Sequence, residues 1–212
     1  MAESPTILIV DAAHGIGPAL AALLSEAGFD VVSMQRDKVR DAEAISSADA
    51  VIFNISALDE ASLLAKGQLA DAVAAEGAAF LATLQTVSRA MIERGNGQIW
   101  VLAPDDSFSY YLPLPSAPVT HHMRIGAVRA LAKEVARFGV FANAAVFQPV
   151  AEMAEPAAWS TARAGIGSYA RKYRPLPLAA IADTLAFWLS RQRLPMNGSV
   201  VHFGSGVYDG NF

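Results

Sequence analysis

The chain has 212 residues, 53% hydrophobic and 17% charged, with a net charge of −4 and no cysteine. This fits one well-buried domain rather than a disordered segment, and gives no electrostatic case for nucleic acid or an anionic membrane. It excludes disulfides, thiolate metal sites and a cysteine nucleophile.

The apolar run Ile7 to Val10 is far too short for a membrane span or a signal-peptide core, so a soluble, cytoplasmic protein is expected. Short apolar, β-rich runs alternate with longer segments of helical period. Thr6–Val10 reads as a strand, and Gly17–Glu26 as a helix stopped at Gly28. Strands are then expected at Phe29–Met34 and Ala50–Ile55. Leu69, Val73, Phe80, Leu84, Val87 and Met91 keep a 3.6-residue rhythm, closed by Gly95 and Gly97. Gln98–Leu102 is the next strand, and Val128, Leu131, Ala132 and Val135 mark a helix that ends at Gly139. Val140–Phe147 follows as a strand, Leu178, Ile181, Leu185 and Leu189 as a helix, and Ser199–Phe203 as the last strand. Most strands are apolar at consecutive positions, as a parallel sheet covered on both faces requires. The expectation is a Rossmann-like doubly wound α/β/α domain of about six strands over 1–212.

Two spans stand out. Asp37 to Asp49 is short and holds no apolar run for a strand. Pro149 to Pro177 is a long polar and alanine-rich excursion, of the kind that covers a ligand crevice at the carboxyl ends of such a sheet.

Gly15-Ile16-Gly17 lies between a buried strand and a helix start. Glycine there lets the backbone approach a pyrophosphate, and the helix amino end favours the anion. The alternative is a tight turn without a ligand.

"VDAAHGIG" resembles the glycine-rich loop of the short-chain dehydrogenase/reductase family, with Asp11 in place of its first glycine. "ADAVIFNIS" resembles the family's Asn-Asn-Ala-Gly strand, with Asn54 first and Ala57 where glycine is usual. "MIERGNGQIWVLAP", "ALAKEVARFGVFANAAVFQPV" and "PMNGSVVHFGSG" resemble later segments in the family's order, so the resemblance spans nearly the whole chain. It implies a dinucleotide held by the Asp11–Gly17 loop (His14, Gly15, Ile16 and Gly17 included), by Asn54 and by Val150. The family has a strand and a helix where Asp37–Asp49 stands, so this sheet edge is expected to be reduced by one strand.

Arg36 directly follows the second strand, where an arginine accommodates a 2′-phosphate, and this favours NADP over NAD. A solvated arginine in the run Arg36-Asp37-Lys38 is the other reading. Asp11 argues against tight binding. A carboxylate a few ångströms from the pyrophosphate costs on the order of 1–4 kcal/mol, unless it turns to backbone N–H groups instead. His14 is placed to offer a compensating donor.

The family's reductases use a serine, a tyrosine and a lysine four residues after the tyrosine. Anchors at Glu134 and Asn143 place His121 at the lysine position, Ala117 at the tyrosine position and Pro104 at or near the serine position. Phe147-Gln148 replaces the family's Pro-Gly. A rebuilt site would draw on Ser107, Ser109, Tyr110, Tyr111, His121 and His122, with His121 and Tyr111 as the acid–base candidates. Capping by the histidine and packing by the tyrosines are the structural alternatives. Four histidines without ligand spacing disfavour a metal site, and Gly-x-Ser-x-Gly is absent. The serine–tyrosine–arginine set of halohydrin dehalogenases is not matched either, since Arg124 lies three residues past the lysine position. Two functions follow: an NADP-dependent oxidoreductase-like protein acting on an unidentified small molecule, or a silent homologue serving as a binding or oligomer partner. Family resemblance implies a homodimer or homotetramer.

Overall fold

The computed structural model describes residues 4–38, 42–105, 116–153, 157–161, 175–191 and 193–204. Six parallel strands form one sheet: β1 (Thr6–Val10), β2 (Asp30–Met34), β3 (Ala50–Phe53), β4 (Gly97–Pro104), β5 (Val140–Phe147) and β6 (Val200–Phe203), in the order β2-β1-β3-β4-β5-β6. The helices are α1 (Gly17–Glu26), α2 (Ala42–Ser47), α3 (Glu60–Ala65), α4 (Leu69–Arg94), α5 (Pro118–Val135) and α6 (Leu178–Leu189).

Alternation along β1 explains the three layers. Ile7 and Ile9 face one core with Leu20 and Leu24 of α1 and Ile181 and Leu185 of α6. Leu8 and Val10 face the other, with Phe80 and Leu84 of α4 and Val128 of α5. Both faces of the strands are therefore buried, which is why they read as continuous apolar runs. The chain moves outward from β1 to β2 and then returns to the other side of β1 as β3. That reversal lies between β1 and β3, and an open α/β sheet receives ligands at the carboxyl ends of the strands at such a point.

Every expected strand is present, two with the expected bounds and the others with ends shifted by one or two residues. The reduced edge also holds: Arg36–Lys38 is a single 3-10 turn, α2 follows, and among the described residues no strand lies beyond β2. Arg94, in the last turn of α4, ties this shortened connection down by donating from Nη2 to Ala48 O at 2.6 Å. Two helices were not foreseen. Both α2 and α3 span six residues, too short to display a helical period.

Gly139 is required by crowding as well as by its φ of 74°. A Cβ there would lie 2.6 Å from Gly95 O, so the turns after α5 and α4 meet at van der Waals limits. The excursion after β5 is fastened at both ends. Val150 bridges Leu176, Trp159 Nε1 donates to Ala151 O at 3.0 Å, and the Glu152 carboxylate accepts from Leu178 N at the start of α6.

Trp100 is fully buried and stacks on Trp188 at 5.1 Å with the planes 3° apart. Its Nε1 donates to Gln98 Oε1, and Gln98 Nε2 donates to Trp188 O and Arg191 O. One indole therefore joins β4 to α6 through packing and hydrogen bonds together. Trp100→Ala should cost about 3–5 kcal/mol in urea denaturation, and Trp100→Phe a smaller part of that.

Candidate functional site

Asp11 follows β1 with a φ of 58°, alone among the described non-glycine residues in being positive. Aspartate is one of the few side chains that tolerate this region, so the backbone makes here the kind of turn that glycine most often supplies. Asp11 N donates to Met34 O at 2.8 Å. Asn54, just past β3, donates from Nδ2 to both Asp11 O and His14 O at 2.9 Å. One buried amide thus pins the loop at two points, while its Oδ1 has no hydrogen-bond partner.

Gly17 is required sterically, and Gly15 by its backbone angle. A Cβ at Gly15 (φ 55°) would lie 2.7 Å from Ile55 Cδ1, and one at Gly17 would lie 2.3 Å from Ala12 O. The helix α1 begins here with Pro18 in its first turn, and no side chain caps it. Gly17 N donates to His14 O and Pro18 has no N–H, so Ala19 N and the positive pole of the helix dipole are what this amino end offers. Ile16 and Val150 are buried. His14 turns its Nε2 to Ile55 O at 2.9 Å, so its ring serves the loop's own packing.

Asp11 and Arg36 meet. Asp11 Oδ1 accepts from Arg36 N at 3.0 Å, and Oδ2 accepts from Arg36 Nε at 2.8 Å and also from Nη2. Arg36 Nη1 pairs with Glu76 Oε1 of α4 at 3.0 Å. That same oxygen pairs with Arg124 Nη2 of α5. Arg124, 1% exposed, donates from Nη1 to Asn54 O at 2.8 Å and lies 5.1 Å from the Phe80 ring centroid. Burial pushes its pKa below the ordinary arginine value, against the pull of Glu76. Its Nε has no partner. Two carboxylates and two guanidiniums thus form one neutral chain that ends at the carbonyl of Asn54.

The positions matched to the family's reacting groups hold none of them. Pro104 ends β4, and buried Ala117 precedes α5. His121 Nε2 accepts from Ser56 N at 3.2 Å, so the ring braces the turn after β3. The described lysines Lys38, Lys66 and Lys133 are exposed. Ser107, Ser109, Tyr110 and Tyr111 lie outside the described residues. Among the described residues no group of histidines and carboxylates is arranged to hold a metal, and no helix is long and apolar enough to cross a membrane.

Glu60 was not singled out from the sequence, yet it is 4% exposed and caps α5. Its carboxylate accepts from Val119 N, Thr120 N and Thr120 Oγ1 at 2.8–3.0 Å. Arg124 and Glu76 were likewise unread as a pair. A charge whose partner is 48 residues away leaves no local pattern.

No family model matches the chain. A 93-residue stretch, 44% of the chain, is 32% identical to the 3-oxoacyl-(acyl-carrier-protein) reductase of Aggregatibacter actinomycetemcomitans and spans 38% of that protein. Among solved structures, a variant of actinorhodin polyketide ketoreductase with NADPH superposes over the whole of both chains, with a TM-score of 0.65 and 20% identity. A protein described as a dehalogenation enzyme gives 0.73 at 18% identity, over 94% of this chain and 96% of that one. A putative NAD(P)-dependent gluconate 5-dehydrogenase from Beutenbergia cavernae, with NADP bound at low occupancy, gives 0.68 at 20% identity over 93% and 94%. The fold is that of these enzymes, and the resemblance to the short-chain dehydrogenase/reductase family read from the motifs is supported by sequence and by structure.

Removing one member of the charge chain should strand the others. Glu76→Gln is expected to cost about 3–5 kcal/mol, and Arg124→Met added to it should return part of that loss in chemical denaturation.

Proposed function

We propose that the chain is a divergent short-chain dehydrogenase/reductase that cradles a nicotinamide dinucleotide on the Asp11–Gly17 loop and lacks the tyrosine–lysine proton-donor pair. One observation carries this reading. Asn54 pins at two points a loop whose Gly17 tolerates no Cβ, beside a helix amino end that no side chain caps. These groups fit a pyrophosphate, and the unpartnered Asn54 Oδ1 can accept from a ligand hydroxyl. Bound there, the cofactor would supply hydride chemistry. Arg36 makes NADP the form to test first, and the segment 149–177 is the substrate-side cover of a small, cytoplasmic enzyme-like domain.

For catalysis, His121 and Tyr111 remain the residues on which a rebuilt acid site would rest. The second reading, a silent homologue acting as a binding or oligomer partner, draws on the engagement of His121 Nε2 by Ser56 N. It draws also on the outer face of α4 and α5, where Ala74, Ala78, Leu81 and Val119 are exposed. That face suits helix pairing between copies in a homodimer or homotetramer.

Calorimetric titration with NADPH should give saturable binding, and Gly17→Ala should weaken it at least about tenfold, since its Cβ displaces the loop. Absence of binding at millimolar concentration of both NADPH and NADH, in wild type and in Asp11→Gly alike, would sink the reading. If a turnover is found, His121→Ala and Tyr111→Phe should each lower it, and failure of both removes these residues from the site. By sedimentation the protein should be a dimer or tetramer, with Leu81→Glu shifting it toward monomer.

A further inference from the structure

The Arg36 guanidinium meets carboxylate oxygen along its whole fork: Nε and Nη2 on Asp11 Oδ2, Nη1 on Glu76 Oε1. Its backbone N–H is taken as well, by Asp11 Oδ1. An arginine at the end of this strand reads a 2′-phosphate through the same fork, and here the fork is already filled from within the protein. The filling is built in rather than incidental. Asp11 sits at a φ of 58°, and its side chain is thereby set against the end of β2 rather than into the loop. The side chains of Asp11 and Arg36 are 12% and 13% exposed. Glu76 is fixed in turn by buried Arg124.

We infer that Asp11 is an internal competitor for the nucleotide's 2′-phosphate, so that this one residue sets the affinity for NADP relative to NAD. The inference rests on the dinucleotide reading above and adds to it a residue that weakens the site from inside. For the phosphate to engage Arg36, the Asp11–Arg36 pair must part, and the freed carboxylate must then remain beside an incoming dianion. A 2′-hydroxyl imposes neither demand. The glycine variant relieves both, because glycine adopts a positive φ without strain. The asparagine variant keeps the size and the tolerance of that backbone region but removes the charge.

Wild type, Asp11→Gly and Asp11→Asn are titrated calorimetrically with NADPH and with NADH. Arg36→Ala is made in the wild-type and Asp11→Gly backgrounds, and folding of each protein is verified by its thermal midpoint. Removing a like charge at this range should raise NADPH affinity by about ten- to a thousand-fold, with a much smaller change for NADH. Adding Arg36→Ala to Asp11→Gly should cancel that gain, and its effect on NADPH should be at least about tenfold larger there than in wild type. Equal gains for the two nucleotides would overturn the inference, because they would locate the effect at the shared pyrophosphate. So would a gain that survives Arg36→Ala, or the lack of any gain in both Asp11 variants when wild type binds. If none of the folded proteins binds either nucleotide, the dinucleotide reading itself fails and the inference with it. Should the glycine variant not fold, the asparagine variant decides by the same NADPH-to-NADH ratio.

Discussion

The charge chain from Asp11 through Arg36 and Glu76 to Arg124 links the β1 loop, the end of β2, two helices and, through the Asn54 carbonyl, the end of β3. Each member has left much of its water behind, a loss of several kcal/mol per ion that only complete pairing offsets. The chain is therefore strong as a whole and weak in its parts. It also explains the geometry around it. Asp11 is held at a backbone angle that ordinary side chains avoid because both its carboxylate oxygens and its carbonyl are engaged. The separation of α4 from α5 is set where Glu76 meets Arg124, with the Phe80 ring packed against the guanidinium.

The fold was legible because it rests on repeating patterns. Consecutive apolar residues in β1, β3, β4 and β5 announce strands buried on both faces, and the period of α4 and α6 announces helices that cover them. The brevity of Asp37–Asp49 foretold the shortened edge. The helices α2 and α3 escaped notice because one and a half turns present no period. The site was legible only in part, for a related reason. The glycines and Asn54 belong to a contiguous pattern, whereas the ties of Arg124 to Glu76 and of Glu60 to the start of α5 join residues 48 to 60 positions apart.

Asp11 shows how a sequence leaves the direction of a side chain open between two sets of partners. Like-charge repulsion of a pyrophosphate assumes a carboxylate turned into the loop. Backbone N–H groups as its partners were half the answer, since Arg36 N is one of them and the guanidinium of the same residue supplies the rest. His14 illustrates the same point, for its ring closes on Ile55 O. At Ala117, Pro104 and His121, the positions the sequence matches to the resembled family's reacting groups, stand packing, a strand end and a brace for Ser56 N.

The shortened sheet has a consequence for how this protein keeps to itself. With no described strand beyond it, β2 pairs on one side only, and its outer row of N–H and C=O groups is a template on which another extended chain can add. Five residues give such a visitor little length, and Asp30 and Ser33 stand exposed along the strand. The tight turn at Arg36-Asp37-Lys38 then bends the backbone away and sets charge at its exit. Short length, exposed Asp30 and Ser33 and a charged corner guard this edge against strand addition.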